Sequence, residues 1–167
     1  MKNLTKINLF IAITLIASIA LYSCKKKTDT SMVVKGCMDS SSLNFNPNAT
    51  QDDGSCTYPR DAFVGLWNIS DTATRTSPVT TYYTTYILTI QKGSGTTGIK
   101  IINFNNQNDT LTATVNGTMA SIPNQFAGFG SSGNTISGNM NLAGSGIYYY
   151  TTYIDHDTWN IHGAGTH

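Results

Sequence analysis

Short segments in which apolar and polar side chains alternate make up most of the chain from residue 60 onward. In one of these segments Tyr86, Leu88 and Ile90 share a face, and in another threonines alternate with Leu111, Ala113 and a valine. A period of two with one apolar face is typical of antiparallel β-sheet. Strands are therefore predicted at 63–70, 82–91, 98–104, 110–115, 118–126, 134–142, 146–154 and 157–162.

The close spacing of these segments predicts an all-β fold of about eight strands, either an antiparallel up-and-down barrel or a small sandwich. Asn116-Gly117 is a strong signal for a hairpin turn. Threonine and tyrosine are abundant and glutamate is absent, which favours strands over helices. From residue 60 onward four basic residues stand against five acidic ones. We expect no nucleic-acid partner, because this part of the chain lacks the excess of basic residues that such binding requires.

The first predicted strand contains the segment Phe63-Val64-Gly65-Leu66-Trp67. It resembles the Gly-x-Trp opening of lipocalins and is also similar to the first strand of fatty-acid-binding proteins. The resemblance implies that residues 60–167 form a calycin-like barrel in which Trp67 plugs one end. Two features of those families are missing: an arginine in the last strand, and a helical lid in residues 72–81. The same residues also resemble small β-domains of Bacteroidota lipoproteins.

The N-terminus carries two lysines, an apolar stretch over 7–21 and the tetrapeptide LYSC at 21–24. The stretch is short for a membrane span. It resembles a bacterial lipoprotein signal, which implies that residues 1–23 are removed and that Cys24 carries palmitate-type acyl chains. The expected location is the cell envelope, anchored by lipid to the outer membrane and facing either the periplasm or the exterior. Residues 24–35 then read as a lipidated tether.

Residues 36–59 form a turn-rich unit bounded by cysteines. The unit resembles a short repeat of exported Bacteroidota proteins of the form GC-x-D … N-F-N-P-x-A-T-x-D-D-G-S-C. If Cys24 carries lipid, Cys37 and Cys56 remain as one pair, and the oxidising envelope permits a disulfide between them.

The same unit is rich in side-chain oxygens of the kind that calcium prefers. The candidate ligands are Asp39, Asn44, Asn46, Asp52 and Asp53. Their spacing is not that of an EF-hand loop. Asn-Pro and Asp-Asp-Gly sequences are equally typical of turns, and we favour the turn interpretation over the calcium site.

The hexapeptide YYTTYI occurs twice, at residues 82–87 and 149–154. One interpretation is an aromatic ladder on neighbouring strands that stacks on sugars or lines an apolar pocket. The simpler interpretation, which we favour, is that tyrosine and threonine are good strand formers that pair across strands.

No catalytic motif is found in the sequence. There is no G-x-S-x-G, H-E-x-x-H or P-loop pattern, and Asp155-His156-Asp157 is best interpreted as a polar turn between two strands. We therefore expect a protein that is not an enzyme.

Three functions remain open. The leading one is a non-catalytic structural or interaction module at the membrane. The second is a lipocalin-like carrier of a small apolar ligand, with Trp67, Tyr86, Tyr149 and Trp159 as lining. The third is surface glycan binding through tyrosines. A carrier requires a cavity on the order of 300 Å³ or more, whereas an interaction module requires only a filled core.

Overall fold

The structure is a computed structural model that describes residues 32–127, 134–155 and 157–167. The predicted signal peptide, the lipidation site Cys24 and the tether up to residue 31 lie outside these ranges, as does His156. Within the described residues no helix is long and apolar enough to span a membrane.

Eight strands form a closed antiparallel barrel in which each strand pairs with its neighbours in the chain and the last pairs with the first. Two very short strands, β1 (Lys35–Gly36) and β2 (Gln51–Asp52), pair in parallel ahead of it. The barrel strands are β3 (Gly65–Thr76), β4 (Val79–Lys92), β5 (Gly98–Phe104), β6 (Asp109–Asn116), β7 (Met119–Phe126), β8 (Thr135–Ala143), β9 (Gly146–Ile154) and β10 (Thr158–Thr166). The all-β prediction is confirmed, and of the two predicted architectures the barrel is the one observed, consistent with a lipocalin-like fold.

Alternation along the strands decides which side chains fill the interior. Leu88 and Ile90 are buried on β4, and Leu111, Ala113 and Val115 are buried on β6. An eight-stranded barrel is just wide enough for its own side chains, so these apolar rows close up into a continuous core. Most of the interior is therefore filled rather than hollow.

Two strands run further than their sequence pattern predicts. β3 continues to Thr76 and forms a long hairpin with β4, so that Thr72 pairs with Tyr83 and Arg75 pairs with Thr80. The apolar alternation stops earlier, but β-branched threonines still favour extended backbone. β10 continues through Gly163, where a Cβ atom would overlap the ring of Tyr149. A glycine that looks like a strand end in the sequence instead makes room for a ring.

The turn-rich unit lies immediately before the barrel. Cys37 and Cys56 form the predicted disulfide, with a Sγ–Sγ distance of 2.00 Å. A single turn of 3-10 helix over Pro59–Ala62 then leads into β3. The predicted hairpin at Asn116-Gly117 is also present, with Gly117 at a φ of 60°.

Candidate ligand-binding site

One end of the barrel, here called the closed end, is sealed around Trp67. The indole of Trp67 is 1% exposed, and its Nε1 donates a hydrogen bond to the carbonyl oxygen of Phe63 at 2.8 Å. The ring of His167 lies over it, with 3.6 Å between ring centroids. The sequence analysis proposed Trp67 as ligand lining, but the structure places it within the core at the sealed end.

Arg60, from the 3-10 helix, completes the closed end. Its Nη1 donates hydrogen bonds to the carbonyl oxygens of Gly93 at 3.3 Å, Gly98 at 3.4 Å and Gly95. The guanidinium thus ties the helix to the turn between β4 and β5. The resemblance to lipocalins implied an arginine in the last strand, whereas this arginine precedes the first strand of the barrel.

The opposite end of the barrel contains an open cavity of about 360 Å³, here called the cup. This volume is near the lower limit of the roughly 300–1,000 Å³ typical of small-molecule sites. Three aromatic side chains, three amides, one carboxylate and three smaller side chains line the cup. They are Tyr82, Tyr153, Trp159, Asn105, Asn106, Gln107, Asp155, Ala73, Thr84 and Ile161.

The two YYTTYI hexapeptides build opposite walls of this end. Strands β4 and β9 are not neighbours, since β3 and β10 lie between them. The two strands run antiparallel, and in both hexapeptides the tyrosines at the first and fifth positions face inward. Tyr86 and Tyr149 therefore meet inside the barrel, where their hydroxyl oxygens are 2.8 Å apart. Tyr82 and Tyr153 reach the rim of the cup.

The remaining tyrosines of these segments face outward. Tyr83 is 80% exposed, and Tyr148 and Tyr150 are about half exposed. The ring of Tyr150 packs edge-on against His162, with 4.4 Å between centroids. The less favoured of the two interpretations, an aromatic ladder, placed the two hexapeptides on neighbouring strands, whereas their inward tyrosines meet across the barrel.

Beneath the cup lies a buried hydrogen-bonded cluster, here called the floor. Tyr86 donates its hydroxyl proton to Oδ2 of Asp71 at 3.2 Å. Its oxygen accepts a hydrogen bond from the backbone N–H of Asn105 at 2.9 Å. Because Tyr86 has only one proton to donate, Tyr149 must be the donor in the bond between the two hydroxyls. The floor therefore connects β3, β4 and β9 to the 105–108 loop.

Burial sets the ionisation of the floor. Desolvation raises the pKa of Asp71 above its ordinary value, although the nearby hydroxyls of Tyr149 and Tyr86 oppose the shift. Desolvation also raises the pKa of both tyrosines, so their hydroxyls stay protonated at neutral pH. Oδ1 of Asp71 and the hydroxyl of Thr151 are buried and have no hydrogen-bond partner among the described residues. Such atoms normally carry a penalty of about 1–3 kcal/mol each.

The rim of the cup is braced by contacts around Trp159. Its ring centroid lies 5.7 Å from that of Tyr82. The guanidinium of Arg75 lies 5.8 Å from the same indole and also pairs with Asp157, whose Oδ2 is 3.4 Å from Nη1. The orientation of the indole is therefore held before any ligand arrives.

Asp155 and Tyr153 complete the rim. Oδ1 of Asp155 accepts a hydrogen bond from the backbone N–H of Asp157 at 2.6 Å, which is a turn geometry of the predicted kind. The hydroxyl of Tyr153 accepts one from Asn134 at 2.6 Å, and burial followed by the charges of Asp155 and Asp109 raises the pKa of Tyr153.

Of the four side chains proposed as ligand lining, Trp159 lines the cup and Tyr86 and Tyr149 form its floor. The structure brings these three to one end and leaves Trp67 at the other. Asp71 was not among the predicted site residues because the predicted strand ended at residue 70. Asp71 follows Trp67 and Ile69 at alternate positions of the same strand, which could have identified it as an inward-facing polar residue.

The candidate calcium ligands use their side-chain oxygens in hydrogen bonds within the turn-rich unit. Asn44 Oδ1 accepts from the backbone N–H of Thr57 at 2.8 Å. Asp39 accepts from the Tyr58 hydroxyl at 2.6 Å and from Ser41, and these bonds hold its pKa below the ordinary value. The other three accept backbone N–H bonds two residues on, namely Asn46 from Asn48, Asp52 from Gly54 and Asp53 from Ser55. Across the described ranges no three or more His, Cys, Asp or Glu side chains group as metal ligands would.

Comparisons with protein families, with curated proteins and with solved structures found no match for this chain. Its function is therefore argued from the geometry of the cup.

Proposed function

We propose that this chain is an exported, lipid-anchored, non-catalytic binding protein that holds a small ligand in the cup. One observation carries the proposal. A barrel whose interior is otherwise filled by side chains leaves a cavity of about 360 Å³ at one end, lined by aromatic and amide side chains. Concave sites with aromatic walls and a few placed polar groups are the usual form of small-molecule sites.

Preorganisation supports the proposal. Asn105 lines the cup, and its backbone is held by the Tyr86 hydroxyl of the floor. Near the end of β5, Asn103 donates to the carbonyl oxygen of Ile87 at 2.9 Å and accepts from the N–H of Asn108, on the loop, at 3.1 Å. A loop fixed in this way loses little conformational freedom when a ligand binds, which preserves affinity.

The anchoring part of the proposal rests on the signal-like N-terminus and Cys24. The test is the intact mass of the full chain recovered from the envelope of a Gram-negative host. We expect the loss of residues 1–23 and the added mass of acyl chains. A Cys24→Ser variant should carry no lipid. A wild-type chain that retains residues 1–23 without acylation would contradict the anchoring.

A module that acts through its surface without a ligand is the second candidate. The filled interior below the cup and the exposed Tyr83 and Tyr148 favour it. A carrier of a purely apolar ligand fits the cup less well, because it would cover the Asn105, Asn106 and Gln107 amides without giving them hydrogen bonds.

Intrinsic fluorescence separates these candidates. The chain has two tryptophans, so a Trp67→Phe full chain keeps Trp159 as its only reporter. We expect at least one small-molecule fraction of the cell envelope to change the Trp159 emission in a saturable way. Adding Tyr82→Ala should weaken the response, whereas Tyr83→Ala, on the outward face of the same strand, should leave it unchanged. If no fraction has an effect on a chain that still unfolds cooperatively, the surface module is favoured.

A further inference from the structure

We infer that the ligand of the cup is a neutral carbohydrate, bound as a single sugar ring or the end of a short glycan. This inference rests on the proposed function and names the chemical class of its ligand. It follows from three properties of the lining: its aromatic faces, its amides and its charge.

The aromatic faces suit the C–H side of a sugar ring. Tyr82, Tyr153 and Trp159 all line the cup, and the tilt of 41° between the Tyr82 and Trp159 rings leaves them as two walls rather than one closed stack. Aromatic faces carry partial negative charge and attract the weakly positive hydrogens of a saturated ring.

The amides suit hydroxyl groups. Asn105, Asn106 and Gln107 are consecutive in the lining, and each amide has both donors and an acceptor. A sugar hydroxyl also donates and accepts, so an amide can either donate a hydrogen bond to the hydroxyl or accept one from it. Asn105 and Asn106 adopt φ values of 51° and 56°, in the left-handed region where asparagine is favoured among non-glycine residues.

The charges at the cup favour a neutral ligand. Among the described residues no basic side chain lines the cup, and the guanidinium of Arg75 beside Trp159 is already paired with Asp157, so an anionic ligand would meet the Asp155 carboxylate without a free counter-charge. An organic cation would be attracted by aromatic rings. However, Arg75 already lies over the Trp159 ring, so that face is not open to a second cation. A neutral ligand with hydroxyls is the class that uses the aromatic rings and the amides together.

The test is saturation-transfer NMR on the full chain in a detergent whose head group contains no sugar. The probes are glucose, galactose, mannose, N-acetylglucosamine, maltose and cellobiose, with choline as a cationic probe and 1-hexanol as an apolar one. We expect saturable transfer from at least one sugar, with the strongest signals on the C–H hydrogens of one ring face.

Variants assign the signal to the cup. Trp159→Ala and Gln107→Ala should each weaken sugar binding by about tenfold. Tyr83→Ala is the matched control because its ring faces outward from the strand that carries Tyr82. Circular dichroism and a urea unfolding curve establish that each variant is folded. Gln107 lies on a loop, so its truncation keeps the test valid if Trp159→Ala does not fold.

The outcomes separate the inference from the function on which it rests. Sugar transfer that depends on Trp159 or Gln107 and not on Tyr83 supports the inference. Cup-dependent binding of choline or 1-hexanol, with no sugar binding, overturns the inference but leaves the proposed function standing. Sugar binding that is lost in Tyr83→Ala instead assigns the site to the outer face and overturns the cup. No cup-dependent binding of any probe overturns the inference and contradicts the proposed function.

Discussion

At the closed end of the barrel Trp67 is covered by His167 and bonded to Phe63, while at the cup end Trp159 lies beside an open cavity. The two tryptophans are on the two strands that close the barrel, β3 and β10, and both contact the hydrophobic core, but they differ in burial and in their polar neighbours. The first is 1% exposed within a core of aliphatic side chains. The second is partly buried among amides, tyrosines and a carboxylate.

This difference indicates how a small barrel can keep a filled core at one end and a candidate ligand-binding site at the other. Eight strands leave little interior space, and the aliphatic rows and the closed end use it to stabilise the fold. The floor of Tyr86, Tyr149 and Asp71 marks the change, because polar hydrogen bonds replace apolar packing there. Above the floor the side chains lie outside the filled core, and this is where we propose that a ligand binds.

The largest expected effect tests whether the two ends contribute differently to stability, and it comes from truncating each tryptophan in turn. Trp67→Ala should lower the free energy of unfolding by about 3–5 kcal/mol, because it opens a cavity in a filled core. Trp159→Ala should cost only about 1–2 kcal/mol, since part of the indole is already exposed. Urea unfolding of the full chains gives both values. Equal losses would mean that the cup end is as much part of the core as the closed end.

A second prediction concerns the boundary between the two ends. In Gly163→Ala the new methyl group would overlap the ring of Tyr149 and push its hydroxyl away from Tyr86. Overpacking of this kind should cost about 1–3 kcal/mol of unfolding free energy. Tyr149→Phe, which removes only the hydroxyl, should cost about 1 kcal/mol.

The matched control is Ala164→Ser, on the next position of β10, whose side chain faces outward. Its effect should be within about 0.5 kcal/mol. If Gly163→Ala is as mild as this control, the ring of Tyr149 has space to move and the floor is not rigid.

Much of the fold was predictable from the sequence because apolar alternation reports directly on sheet faces. All eight strands were identified in this way, and the Cys37–Cys56 pair was identified from the number of cysteines left once Cys24 is assigned to lipid. Closure into a barrel was not predictable, since the alternation of single strands does not determine whether the last strand pairs with the first. The ends of β3 and β10 were also missed, because Thr72–Thr76 and Gly163–Gly165 carry no apolar pattern and are held by cross-strand pairing.

The candidate site was less predictable for a related reason. Tyr82 and Tyr86 share the face of Leu88, so their inward direction was available from the sequence. Their position opposite Tyr149 and Tyr153 could be predicted only from the order of the strands, which places β4 and β9 across the barrel from each other. The amides of Asn105–Gln107 lie on a loop, where strand alternation gives no information about direction.

The last prediction concerns the effect of Asp71 on the pH dependence of the free energy of unfolding. It tests the floor alone. The pKa of Asp71 is raised in the folded chain, chiefly by burial, above an unfolded value of about 3.9. The folded state therefore holds this proton more tightly than the unfolded state does. Its contribution to stability is fully present below pH of about 4 and is lost as pH rises through the folded pKa.

Asp71→Asn removes this titration while keeping an oxygen that accepts the hydrogen bond from Tyr86. Urea unfolding at several values between pH 4 and pH 8 should show wild type losing stability relative to the variant as pH rises. The loss should be about 1.4 kcal/mol for each unit by which the pKa is raised. The carboxylates of Asp39 and Asp53, whose pKa values are lowered, contribute the opposite slope, but they are common to both chains and cancel in the difference. Parallel profiles would mean that water reaches Asp71, in which case the cup would extend below the floor.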